Sequence, residues 1–363
     1  MKITLNPFSR IKMLVLTTVF VLSFLSAIPF RTYGYFDLEF EVNNKDRAGK
    51  IWTFDQHHLN IINIFSLDQN FRLFTEMEWE HGISIEADGA GSGKIYLAQG
   101  WLEYKKSNAL RFQMGKILVP FGKYGLTYDA TPTFLSTFLP NSVYGNHENS
   151  VGYKDRLFAK WLTGVQVAGL IPLGDWATEY FFYITNGRGP KPSEKDTNPN
   201  KGLGGRIIVR TPIDDMIFGF SYYSDADGNS HNTIQTSFGT DFEFTVANLT
   251  FEAEGVYKNG QNIDTTTIQP IDDYLTGYGY YFQTSYTIKD RWTPFVRIDQ
   301  YDPDINGKVQ HDETTTVGIN VSITPRIYFK SEFQFSRDAD HLLHDNDTNK
   351  AYQSFISSIA VAF

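Results

Sequence analysis

The chain has 363 residues and no cysteine, so no disulfide holds it together and no C-x-x-C motif is present. It also lacks a G-x-S-x-G elbow and an H-E-x-x-H pair, the two most legible hydrolase signatures. Beyond the first segment no apolar run is long enough for a membrane helix, and no stretch has the period of an amphipathic helix. Hydrophobic residues make up 41% and mean hydropathy is −0.30, less greasy than a helical membrane protein. Basic residues are in deficit, 32 against 41 acidic ones for a net charge of −9, and nucleic acid is not an expected partner.

Aromatic residues, in contrast, are plentiful at 16%, mostly Phe (30) and Tyr (21). A chain can be rich in Phe and yet polar on average if apolar and polar residues alternate. Before that pattern begins, Lys2, Arg10 and Lys12 precede the apolar core Met13–Ile28, and Thr32 and Gly34 supply small residues. These features read as a secretory signal over residues 1–34, with cleavage just before Tyr35.

Alternation then dominates residues 35–363, read as one domain. Phe36, Leu38, Phe40 and Val42 oppose Asp37, Glu39 and Glu41. Phe71, Leu73, Met77 and Trp79 oppose Arg72, Glu76, Glu78 and Glu80, and Ile327, Phe329, Phe333 and Phe335 oppose Arg326, Lys330, Glu332 and Gln334. With charges on one face and no helix to cover the other, the pattern suits an all-β transmembrane antiparallel barrel, lipid outside and water within. Strands are expected near 34–42, 51–64, 70–83, 94–105, 108–116, 159–171, 175–186, 203–211, 215–224, 232–245, 248–258, 275–288, 291–301, 313–323, 326–336 and 351–363. Joints alternate between short (SLDQN, KSN, VAN, KDR) and long (SIEADGAGSG, NGRGPKPSEKDTNPNK). That asymmetry predicts about sixteen strands in an up-and-down barrel, with short periplasmic turns and long extracellular loops.

DPDINGKVQHDE matches the calcium-loop spacing D-x-[DN]-x-[DN]-G-x5-E. Its flanks, FVRIDQY and TTTVGINVSI, read as strands, so it is not an EF-hand, which needs helices. It is first a loop of turn formers; Asp302, Asp304, Asn306 and Glu313 keep a calcium site as the alternative, and no other cofactor is expected. GAGSGK fails as a phosphate loop, because Asp88 and Ile95 occupy places that need Gly and Ser or Thr. His57 and His58 are neighbours, which on a regular strand face opposite ways and cannot chelate together. Trp52, Trp101, Trp161, Trp176 and Trp292 fit aromatic girdles at the membrane interfaces.

The final strand, with Phe355, Ile359, Val361 and the terminal Phe363 on one face, resembles the assembly signal of bacterial outer-membrane barrels. ALRFQMGKILVPFGKYG is more specific: Gly115, Pro120, Phe121 and Gly122 resemble the motif of Gram-negative porins that include the phosphate-selective porins O and P. The resemblance implies localisation in the bacterial outer membrane, a third loop folded into the lumen, and a homotrimer. It also implies lipid, lipopolysaccharide and the barrel-assembly machinery as partners, and passive diffusion of small hydrophilic solutes or ions, with no enzyme activity. The third long connection, 116–154, is then the constriction loop, bent by Pro120, Gly122, Gly125, Pro132 and Pro140. Its charges Lys123, Asp129, His147, Glu148, Lys154 and the following Arg156 are the constriction candidates.

On the lumen phase lie Arg72, Arg111, Arg206, Arg210, Arg297, Arg326 and Lys330. They face Asp37, Glu39, Glu41, Glu76, Glu78, Glu80, Glu103, Asp241, Glu243, Glu252, Glu254, Asp299 and Glu332. Acids outnumber bases, which predicts a mild cation preference and puts phosphate or other anion selectivity second. A barrel enzyme and a plugged barrel serving as a scaffold for a partner are the remaining alternatives.

Overall fold

The computed structural model describes residues 28–46, 50–85, 91–145, 147–148, 154–187, 200–213, 215–226, 233–262, 277–302, 311–338 and 350–363. Sixteen antiparallel strands close into a barrel. They are β1 (Phe30–Asn43), β2 in two pieces (Ile51–Asp55 and His58–Ser66), β3 (Phe71–Ile85), β4 (Gly91–Ser107) and β5 (Leu110–Leu118). After a long loop come β6 (Trp161–Leu173), β7 (Trp176–Asn186), β8 (Lys201–Arg210), β9 (Met216–Ala226), β10 (Thr233–Val246) and β11 (Leu249–Asn262). The set ends with β12 (Gly277–Tyr286), β13 (Trp292–Asp302), β14 (Asp312–Thr324), β15 (Ile327–Arg337) and β16 (Ala351–Ala362). Each strand pairs with its sequence neighbour, and β16 returns to β1 with Phe36 opposite Val361 and Glu39 opposite Ser358. Closure leaves no free edge, the condition a sheet must meet in hydrocarbon.

The alternation sorts into two faces. Glu332 is 1% exposed and its neighbour Phe333 54%. Phe182, Phe220, Phe238 and Ile298 are likewise exposed, whereas Asp37, Glu76, Arg206, Asp241, Arg297 and Asp299 are buried. Exposing a Phe or Ile to water costs roughly 1.5–3 kcal/mol each, so a belt of them requires lipid. Trp52, Trp176 and Trp292 lie on this outer face, Trp52 beside the first long loop and the other two at short turns on the opposite rim. Trp101 does not: it faces the lumen, stacked on Phe74 at 4.6 Å with the Arg72 guanidinium over its ring. It stands two residues before Glu103, which is buried in the lumen, so plain alternation along its strand puts it there.

Two boundaries differ from expectation. β1 starts at Phe30, five residues before the expected mature terminus, and Phe30–Gly34 pair with Phe65–Ile61. Gly34 also exchanges backbone hydrogen bonds with Phe363, at 2.8 and 2.9 Å. Its missing Cβ lets the Phe363 ring lie against it. The second difference is in β2, which breaks at Gln56–His57. Asp55 pairs with Glu39 on one side of the break and Asn60 with Tyr35 on the other. The inward phase therefore passes from odd to even residue numbers, and His57 and His58 end on the same side with rings stacked 3.9 Å apart. Adjacent histidines face opposite ways only on an unbroken strand.

The described residues of the connection between β5 and β6, 119–145, 147–148 and 154–160, fold inward. Val119, Phe121, Tyr124, Phe134, Val143, Tyr144, Leu157 and Phe158 are buried in one cluster with Tyr183, Tyr223, Tyr281 and Tyr301 of the wall.

Candidate channel lumen

The inward loop is held by wall side chains along its length. Gly122 has φ +70°, and a Cβ there would overlap the Glu254 carboxylate, so the P-F-G turn needs its glycine. The Gly122 N–H donates to Ser221 at 3.1 Å, and Tyr124 donates its hydroxyl to Glu252 at 2.7 Å. Tyr144 donates to Glu254 at 2.8 Å; burial and that carboxylate push its phenol up, so it remains a donor. Phe121 stacks on Phe158 at 4.2 Å.

On the opposite wall, Lys330 donates to the carbonyls of Thr131, Phe134 and Ser136 at 2.5, 2.7 and 2.8 Å. Three acceptors around one nitrogen require the three N–H bonds of an ammonium. Arg297 donates to Ser136 Oγ at 2.7 Å, Glu332 accepts the Thr137 N–H at 3.1 Å, and Asn320 donates to the Leu135 carbonyl at 3.1 Å.

Four of the expected constriction residues, Lys123, Asp129, His147 and Arg156, are paired or packed. Lys123 pairs with Glu243 and, at 3.3 Å, with Glu252. Asp129 accepts from Lys160 at 2.5 Å. Arg156 donates to the Tyr128 hydroxyl and the Tyr144 carbonyl. His147 is buried with its ring stacked 3.5 Å from Tyr301, and burial pushes its pKa down to about 3, so it is a neutral packing residue at neutral pH. The backbones of Glu148 and Lys154 pair in a two-residue ribbon with His147 and Asp155, and their side chains lie outside the described set.

Of the lumen candidates, Arg72 pairs with Glu103 at 2.7 Å, Arg111 with Glu179 at 3.5 Å, Arg206 with Asp241 at 2.6 Å and Arg297 with Asp299 at 3.3 Å. Glu76 accepts from the neutral donors Tyr35, Asn60 and Gln99. Glu41 accepts from Asn43, Glu39 faces His57 at 3.1 Å, and Glu80 lies 3.8 Å from Lys94. Arg210 and Arg326 are exposed at or just beyond strand ends, the latter in the turn between β14 and β15, so neither contributes to the mid-lumen wall. For the calcium alternative, Asp304 and Asn306 lie outside the described residues. Asp302 is buried and held by Tyr278 at 2.8 Å and His311 at 2.9 Å, while Glu313 is exposed.

Sequence reasoning missed the lumen tyrosines 183, 223, 281 and 301, because it assigned aromatics to lipid. A cavity of about 230 Å³ remains between the loop and the β2–β3 wall, lined by His57, His58, Glu80, Asp129, Arg156 and Lys160 among others.

Solved structures share this architecture. An anion-selective porin from Comamonas acidovorans superposes with TM-score 0.63 at 11% identity, covering 93% of this chain and 100% of that one. The outer-membrane channel DcaP of Acinetobacter baumannii gives 0.58 at 11% identity, covering 93% and 97%. The chain has the fold of these outer-membrane barrels. A trimer form of OmpT, an outer membrane protein of Vibrio cholerae, gives 0.58 at 10% identity, covering 93% and 99%. Identities this low show likeness of fold alone. No protein-family model and no curated protein matches the sequence.

Proposed function

We propose that the barrel is a passive diffusion channel for small hydrophilic solutes and ions, with no enzymatic step. The observation that carries this reading is a lumen wall of charged side chains around an inward loop, inside a belt of lipid-facing Phe and Ile. Near the short-turn rim Arg72, Arg111, Glu179 and Glu243 keep substantial solvent access, as the walls of an aqueous vestibule do.

The channel is cation-preferring. Arg72, Arg111, Arg206 and Arg297 are each matched by a carboxylate. Glu76 is held by the neutral donors Asn60 and Gln99, and a neutral donor fixes a negative charge without cancelling it. The P-F-G turn supports kinship with the phosphate-selective porin O/P-like group, but the charge excess argues against an anionic cargo. A homotrimer is proposed by likeness to the trimer form of the Vibrio protein, with lipopolysaccharide and the assembly machinery as the partners any such barrel meets.

The test is the reversal potential of purified folded protein in a planar bilayer under a KCl gradient. Ohmic steps with a cation-selective potential are expected. Anion selectivity would keep the channel and discard the charge argument. Folded protein with no conductance would discard the channel and leave a plugged scaffold.

A further inference from the structure

Where the inward loop meets β2 and β3, His58, Glu78 and Asp129 bring one imidazole nitrogen and two carboxylates together, all buried. The three candidate ligand atoms lie within 4.8 Å of one another. His58 Nε2 is 3.8 Å from Glu78 Oε1 and 4.0 Å from Asp129 Oδ1. An ion ~2.1 Å from each donor sets tetrahedral neighbours about 3.4 Å apart, so the histidine contacts need to close by about half an ångström.

Two further observations point to a cation. Glu78 is fully buried, yet neither of its oxygens accepts a geometrically sound hydrogen bond. The Tyr96 phenol, opposite it on β4, is close enough to act on the carboxylate. A buried carboxylate left so is costly unless something positive joins it. The second observation is the orientation of His58. Asp37 accepts the His58 backbone N–H at 2.6 Å and faces its Nδ1 at 3.2 Å. In the tautomer with its proton on Nδ1, directed at Asp37, Nε2 faces Glu78 and Asp129 with its lone pair, the carboxylate–histidine arrangement that orients metal ligands, and an ion would displace any proton held there.

We propose that His58, Glu78 and Asp129 form a site for a divalent transition-metal ion such as Zn²⁺, tying the inward loop to the barrel wall. One imidazole with two carboxylates favours such an ion over calcium, which takes oxygen ligands in larger number. Lys160 holds Asp129 in the metal-free arrangement and yields to the ion, whose double charge serves both carboxylates. The adjoining cavity gives a path from the lumen, since His58 and Asp129 line it. The site does not depend on whether the barrel conducts.

The experiment is equilibrium dialysis of untagged, detergent-folded protein against Zn²⁺, with bound metal counted by mass spectrometry and folding checked by heat-modifiable gel mobility. Glu78→Gln keeps shape and removes charge; it is expected to lose one equivalent and to weaken binding at least tenfold. His81→Gln, outside the triad, should leave that equivalent in place. Should Glu78→Gln not fold, Asp129→Asn, on the loop rather than a strand, serves the same purpose. Wild-type protein that binds no zinc at micromolar concentration, or folded variants that bind it unchanged, would overturn the proposal. Conductance measured on the same samples reports on the channel separately.

Discussion

Lys330 shows how much one lumen residue can do. Fully buried, it gathers three carbonyls of the inward loop. Lys330→Met should leave those carbonyls unpaired and cost about 3 kcal/mol. Denaturant unfolding in detergent reads the loss, and single-channel conductance should rise as 131–138 detach. His147 gives a pH dependence of definite sign. Burial, aided by repulsion from Arg156 and Lys258, holds its pKa near 3 against an ordinary 6.5. The unfolded state therefore binds the proton more readily. His147 contributes its full stability above about pH 6.5 and loses it as pH falls toward 3. Protease cleavage within 119–160 should increase between pH 7 and 4, and His147→Phe should flatten its share of that increase. The existence of such residues was legible in sequence as lumen charge. Their partners were not, because Lys330 meets Thr131 across 199 positions.

Among the elements, the sixteen expected strands match the observed ones with small boundary shifts, because alternation repeats in each and turns punctuate them. The failures differ in kind. Trp101 shares the inward phase of Glu103, which alternation alone gives, whereas a break in β2 puts His57 and His58 on one face. A single extra residue inverts the phase without altering composition. The start of β1 leads to a prediction. Cleavage before Tyr35 would remove Phe30–Gly34 and with them the Gly34–Phe363 pair that closes the seam. Intact-mass measurement of protein from the outer membrane should place the mature terminus upstream of Phe30. A terminus at Tyr35 would show that the barrel closes without those pairs.

For the whole molecule, barrel and loop are separable in energetic terms. The strand ladder is complete from β1 to β16 without any contribution from 119–160, whereas the loop adds to its own hydrogen bonds several with wall side chains such as Lys330, Arg297 and Glu254. Replacing 129–140 with a short Gly-Ser link should therefore leave heat-modifiable folding intact. Conductance should rise severalfold, and uptake of larger hydrophilic solutes in a liposome-swelling assay should rise with it. Unchanged conductance would mean that this part of the loop does not limit flow.

The sequence by itself determined that this chain is a barrel, roughly how many strands it has, and which face of most of them meets lipid. Those properties follow from period-2 alternation and turn spacing, which are local and survive errors of a residue or two. Only the tertiary structure decided what the lumen charges do. Closing the barrel brings β2, β3, β11, β13 and β15 around one loop, so Asp129 meets His58 and Glu254 meets Tyr144. Those encounters depend on three-dimensional distance between residues far apart in the chain, and no local pattern encodes that distance.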